Sequence, residues 1–176
     1  WSKVITNNNI SVAGQHNIYV TYRRQSSNFL ISIYVDDVLF GTATTNNINN
    51  IINSTRDNSI LCSNLVGSIS LFELKLTNGS TIMLYDFTDG KGTTITDKSG
   101  NKINGSIIGN LTWSTENGLK FDGTSGYLIL PEFDSGVRFS NGYSIEFEAR
   151  FEDIYRPCKI FDLATSYDSG SNSSLK

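Results

Sequence analysis

Residues 143–151 read Y-S-I-E-F-E-A-R-F, and from Ser144 to Phe151 polar and apolar side chains alternate without a break. Period two belongs to a β-strand, where successive side chains point to opposite faces. Ile145, Phe147, Ala149 and Phe151 therefore make a face for a core, and Glu146, Glu148 and Arg150 a wet one. The pattern returns on either side of this stretch. Residues 17–24, N-I-Y-V-T-Y-R-R, set Ile18, Val20 and Tyr22 on one side. Residues 29–42, F-L-I-S-I-Y-V-D-D-V-L-F-G-T, read as two strands meeting at Asp36-Asp37, because Asp tolerates the positive φ of a tight hairpin turn. Residues 67–76, G-S-I-S-L-F-E-L-K-L, place Ile69, Leu71, Glu73 and Lys75 on one face and Phe72, Leu74 and Leu76 on the other. Further strands are expected near 105–108, at 113–114, within 118–130 and at 158–164. The Asn-rich stretch 44–58 reads as a polar surface loop with room for a helical turn, and the Ser/Gly/Asn-rich tail 166–174 as mobile chain.

Composition agrees with that reading. The 176 residues can bury one sizeable core, and 38% hydrophobic with 11% aromatic residues is globular. Only 18% are charged, and the polar remainder is dominated by Asn, Ser, Thr and Gly. Thr and aromatic residues suit a pleated surface, while Asn and Gly accept positive φ in turns. The expected class is all-β, an antiparallel β-sandwich. With net charge −3 and no basic block beyond Arg23-Arg24, the chain cannot neutralise a run of phosphates, so nucleic acid is excluded as a partner. No apolar run approaches the roughly 20 residues of a spanning helix, so no membrane insertion is expected. The chain opens on Trp1 rather than Met and reads as a processed product or an excised piece. Cys62 and Cys158 allow one disulfide in an oxidising compartment, or two buried thiols acting as small hydrophobes. His16 is the only histidine, with no obvious base or nucleophile partner, and a Cys/His zinc site cannot be assembled in one chain.

Several runs resemble a known family. Residues 84–107, L-Y-D-F-T-D-G-K-G-T-T-I-T-D-K-S-G-N-K-I-N-G-S-I, resemble the opening of laminin-G-like jelly-roll domains: a strand ending in F, an acidic-Gly turn, D-x-S-G-N, then a short strand. G-L-K-F-D-G-T-S-G-Y-L-I-L at 118–130 is similar to that family's F-D-G-x-x-x-Y hallmark, and residues 143–151 to the strand that follows. The first half resembles the family's later portion, through H-N-I-Y-V-T-Y-R-R, I-S-I-Y-V-D-D-V-L-F-G-T and G-S-I-S-L-F-E-L-K-L, with Asn17 and Asp37 departing from the usual residues. The resemblance implies a concanavalin A-like jelly roll in back-then-front order: residues 1–79 as the C-terminal half and 80–176 as the N-terminal half, divided at the turn cluster Thr77-Asn78-Gly79-Ser80. Three arrangements fit that order: tandem domains cut across their boundary, a circular permutation, or halves swapped between neighbours. A piece of a larger repetitive protein or an assembly is favoured over permutation, because isolated halves would expose long strand edges.

Functional candidates follow from both readings. Glu146, Glu148 and Glu152 are the only carboxylate series with a catalytic look, since retaining glycosidases need carboxyl groups about 5–5.5 Å apart. The glucanases of this fold carry E-x-D-x-E or E-x-D-x-x-E, whereas this chain has E-F-E-A-R-F-E, with Arg150 where an acid is wanted. Asp86, Asp89, Asp97 and above all Asp122, in F-D-G, are candidates for calcium, which takes oxygen ligands; the same residues also serve ordinary turns. Trp1, Trp113, Tyr127, Tyr143 and Tyr155 are candidates for sugar stacking, set against a plain packing role. The Asn-X-Ser/Thr sites at Asn9, Asn53, Asn78, Asn104, Asn110 and Asn172 mark surface loops. The expectation is a non-catalytic module of an extracellular, cell or virion surface that binds glycans or neighbouring protein subunits within a larger assembly or tandem array. The alternatives are a calcium-dependent carbohydrate-binding module of a larger enzyme and, less favoured, a glycoside hydrolase.

Overall fold

The computed structural model describes residues 13–45, 58–116, 118–131, 141–155 and 158–162. Most of the expected loop 44–58, the tail 166–174, Trp1 and the sites at Asn9, Asn53 and Asn172 lie outside them. The described residues are all-β, with no α-helix. Thirteen strands follow one another: β1 (Gly14–Gln25), β2 (Asn28–Val35), β3 (Val38–Thr45), β4 (Asn58–Ser63), β5 (Val66–Leu76), β6 (Thr81–Tyr85), β7 (Thr94–Ile95), β8 (Gly105–Ile108), β9 (Thr112–Ser114), β10 (Gly118–Asp122), β11 (Tyr127–Pro131), β12 (Gly142–Phe151) and β13 (Lys159–Asp162). They form two antiparallel sheets. The larger has eight strands in the order β3-β2-β1-β12-β5-β10-β9, with β6 paired to the far end of β5; the smaller runs β13-β4-β11-β8-β7.

One apolar cluster joins the two sheets. From the larger come Ile18, Ile69, Phe72, Leu74, Leu119, Phe121, Ile145, Phe147 and Ala149; from the smaller, Cys62, Ile95, Leu128 and Leu130. Phe72 lies 5.4 Å ring to ring from Phe161, directly across the sandwich. Each Ile, Leu or Phe side chain among them contributes about 1.5–3 kcal/mol by leaving water, which is what holds two alternating sheets face to face.

Strand β12 behaves as its alternation demands. Its residues Ile145, Phe147, Ala149 and Phe151 are buried, and Glu146 and Glu148 face away. It sits between β1 and β5, paired residue by residue with each. The Asp36-Asp37 hairpin also forms as expected, with φ of 49° and 65° at the two turn residues. Strand β5 differs from expectation. A bulge at Ser70 pairs Glu148 with Leu71 but Ala149 with Ile69, and the extra residue flips the phase. Ile69 therefore joins Phe72 and Leu74 in the core, away from Glu73 and Lys75. Strand β4 was not anticipated; it pairs with β11 and β13. The turn cluster 77–80 is the tight turn of the β5–β6 hairpin, closed by Leu76 N–H donating to Ser80 O and Ser80 N–H to Asn78 Oδ1.

Candidate functional site

The outer face of the larger sheet gathers polar groups from strands far apart in sequence. Register alone does this. Tyr34 of β2 pairs with Tyr19 of β1, Tyr19 with Glu146 of β12, Glu146 with Glu73 of β5, and Glu73 with Leu84 of β6. These five residues therefore form one row across five strands on one face, because directly paired residues point the same way. A second row runs Ser32, Thr21, Ser144, Lys75 and Thr81. Asn17, Glu148 and Leu71 begin a third.

The groups hold one another in place. The Tyr19 and Tyr34 rings lie 6.1 Å apart, tilted at 43°. Asn17 Nδ2 donates to Glu146 Oε1 at 2.9 Å, and the Ser70 hydroxyl to Glu148 Oε2 at 3.2 Å. Glu73, whose side chain is only 13% exposed, accepts the Thr81 hydroxyl at 3.1 Å and faces Lys75 Nζ at 2.6 Å. Two carboxylates directly opposed on neighbouring strands repel, and the ammonium of Lys75 offsets that. Its pKa is raised, first by the hydrogen bond to Glu73 and then by the charges of Glu73 and Glu146, against the opposing effect of burial. The result is a sheet face with two adjacent aromatic rings and three anchored carboxylates. Such groups can accept hydrogen bonds from a polyol while a ring covers its apolar side.

The expected site residues fall in several places. Glu146 and Glu148 belong to this face, but Glu152 lies past the end of β12 and pairs with Lys120 of β10 at 3.2 Å. Tyr143 stacks on Tyr22 at 5.1 Å on the core side, Trp113 donates its indole N–H to Gly92 O, and Tyr127 pairs with Ile108. Tyr155 is 92% exposed. The aromatic residues that do share the open face, Tyr19 and Tyr34, were not singled out from the sequence. Strand alternation puts them opposite Ile18, Val20 and Val35, so the signal was present, but only pairing makes it a site. His16, which showed no partner in the sequence, has its Nδ1 2.7 Å from Asp36 Oδ2. That contact, with Asn17 N–H donating to Asp36 Oδ1, holds the Asp36 carboxyl below its usual range.

The acidic turn residues are local staples. Asp122 Oδ1 accepts the N–H groups of Thr124 and Ser125, and Oδ2 the Ser125 hydroxyl, which together hold its carboxyl far below the ordinary range. Asp97 Oδ1 accepts Leu84 N–H and Ser99 N–H; its Oδ2 accepts the Ser99 hydroxyl and Ile103 N–H. Burial alone would raise the Asp97 pKa, but these hydrogen bonds outweigh it and leave it lowered. Asp86 accepts from Thr88, and Asp89 accepts Thr96 N–H with Lys98 Nζ 3.6 Å away. Among the described residues, no three His, Cys, Asp or Glu side chains gather in a group able to hold a metal ion. Cys62 and Cys158 are free thiols; Cys62 is wholly buried. Comparison with protein-family models finds none that matches this chain, and comparison with curated proteins finds no match either.

Proposed function

We propose that the chain is a non-catalytic surface module of laminin-G-like, jelly-roll type that binds glycans on the outer face of its larger sheet. The observation that carries this reading is the row Tyr34-Tyr19-Glu146-Glu73, which sets an aromatic pair beside anchored carboxylates. Sugars present both an apolar ring face and hydroxyl groups, and sites for small polar ligands combine rings with a few fixed polar groups. Each carboxylate on the face is already oriented by a donor from the chain, which suits recognition by fixed acceptors. The circularly permuted reading of the family order is supported by the pairing of β12 with both β1 and β5, which joins the two runs inside one sheet. An extracellular, cell-surface or virion setting fits such a module.

A glycan array read with and without chelator tests the reading and its calcium-dependent alternative together. Tyr19→Ala and Tyr34→Ala, each checked for unchanged thermal unfolding, are expected to weaken the best ligand about tenfold, the worth of roughly 1.4 kcal/mol of stacking. An array with no ligand, or affinity untouched by either substitution, sinks the proposal. Hydrolysis of a bound glycan that Glu146→Gln abolishes would replace it with the glycosidase reading.

A further inference from the structure

A sheet ends in strands whose outer N–H and C=O groups lack a neighbour, and proteins blunt such edges with short strands, charges, prolines or a covering loop. Four of the five strand ends among the described residues are treated in these ways. β7 has two residues, β9 three and β13 four. The fourth, β6, has five, and loop 96–101 covers its free side: Leu84 N–H donates to Asp97, Lys98 N–H to Leu84 O, and Asn101 Nδ2 to the carbonyls of Thr81 and Ile82.

β3 is different. It has eight residues, V-L-F-G-T-A-T-T, without a charge or a proline. A bulge at Phe40 interrupts its ladder with β2 near the turn, and from Gly41 to Thr45 the pairing is regular. Two of the four exposed large hydrophobic residues among those described, Val38 at 59% and Leu39 at 50%, lie at its start. An uncharged edge of this length, tipped with apolar side chains, is built to be paired.

We propose that β3 pairs with β3 of a second copy, antiparallel about a two-fold axis, so that the larger sheets of two molecules become one. Charge selects this occupant and this direction. Asp36 and Asp37 stand at one end of β3. At the other end, register carries Thr44 and Thr45 across Leu30 and Phe29 to Arg23 and Arg24. Parallel pairing would bring four carboxylates together. Antiparallel self-pairing moves each acidic turn to the end of the partner's sheet where the arginines lie. The side chains of β3 itself then meet only neutral neighbours, and the two-fold makes the contact self-complementary. A pairing through one eight-residue strand is at the small end of interfaces. It does not depend on the glycan reading.

The test is the mass of the full chain by sedimentation over a range of concentrations, with hydrogen exchange at both ends of the range. The expected result is a mass that rises from 19.5 kDa toward twice that value, with amides of 38–45 gaining protection in the heavier form. Leu39→Lys combined with Thr42→Lys changes two exposed residues. It is expected to weaken association at least tenfold while leaving the unfolding midpoint of the dilute monomer unchanged. A monomer at every concentration, protection confined to other strands, or a dimer unaffected by the two lysines overturns the proposal. A monomer that still binds glycans overturns this inference alone.

Discussion

Asp97 offers the sharpest test of how the loop after β6 is held. It is a buried polar residue, 8% exposed, whose carboxylate accepts three backbone N–H groups and one hydroxyl at 2.8–3.0 Å. Asp97→Ala removes every acceptor and leaves the amides of Leu84, Ser99 and Ile103 competing for whatever water can enter. Hydrogen bonds to a charged partner contribute about 1.5–3 kcal/mol each, and the three amides do not act independently, so a loss of about 4 kcal/mol is expected. For a chain of this size that lowers Tm by about 8–16 °C. Asp97→Asn keeps one carbonyl oxygen but turns an amide N–H toward donors, and is expected to lose about half as much.

The pH dependence makes the argument specific. The folded-state pKa of Asp97 is lowered, so the unfolded chain binds more protons in acid. The stability it contributes is fully present above the ordinary carboxyl value of about 3.9 and is lost as pH falls through the lower folded value. The gap between wild type and Asp97→Ala, measured by urea unfolding, is therefore constant from pH 7 to 5 and narrows in stronger acid. A cost under about 1 kcal/mol at pH 7, below the worth of a single buried hydrogen bond to a charge, would refute the reasoning.

Two further expectations concern the core. Gly142 opens β12 at φ 105°, and a Cβ there would lie 1.9 Å from Tyr22 O on β1; Gly142→Ala is expected to cost about 3 kcal/mol or more by chemical denaturation, because strain and clash act together. Cys62 is fully buried and burial pushes its thiol pKa up, so alkylation of the native protein at neutral pH spares it, and mass spectrometry finds it labelled only after denaturation.

How much of this was legible in the sequence depends on the range of the interaction that decides it. The alternation at 143–151 and 17–24 is local, and both strands form. The Asp36-Asp37 turn was legible because both residues tolerate the left-handed backbone that such a hairpin demands. The D-K-S-G-N run at 97–101 was visible as a motif, and its geometry explains the residue types: the carboxylate and hydroxyl staple β6, Gly100 takes φ 90°, and the Asn101 amide reaches two carbonyls. The phase of β5 was misread because one bulged serine shifts every residue before it to the other face. β4, N-S-I-L-C-S, follows an Asn-rich stretch and is too short to announce a period. Asp122 carried a motif that turn chemistry and metal binding share, and its three local donors, from Thr124 and Ser125, were not legible from the motif itself. The aromatic row needed long-range register: Tyr34, Tyr19, Glu146 and Glu73 come from four strands, and no window of sequence contains them together.

The open face and the open edge also bear on one another. Tyr34 sits on β2, one strand in from β3 and beside the turn, so antiparallel pairing of β3 between two copies would place the two Tyr34 residues three strand spacings apart across the joined sheet and about four residues apart along it, about 20 Å in all. Both faces would then look the same way, since a continuous sheet keeps its outer side. A row of two rings and a few fixed carboxylates is a small contact, and small contacts with sugars bind weakly. Two such rows held on one rigid sheet gain through effective concentration wherever a glycan surface repeats its motif. On the proposed reading, the long uncharged edge, a liability in an isolated molecule, would be the element that turns a weak glycan site into a firm attachment.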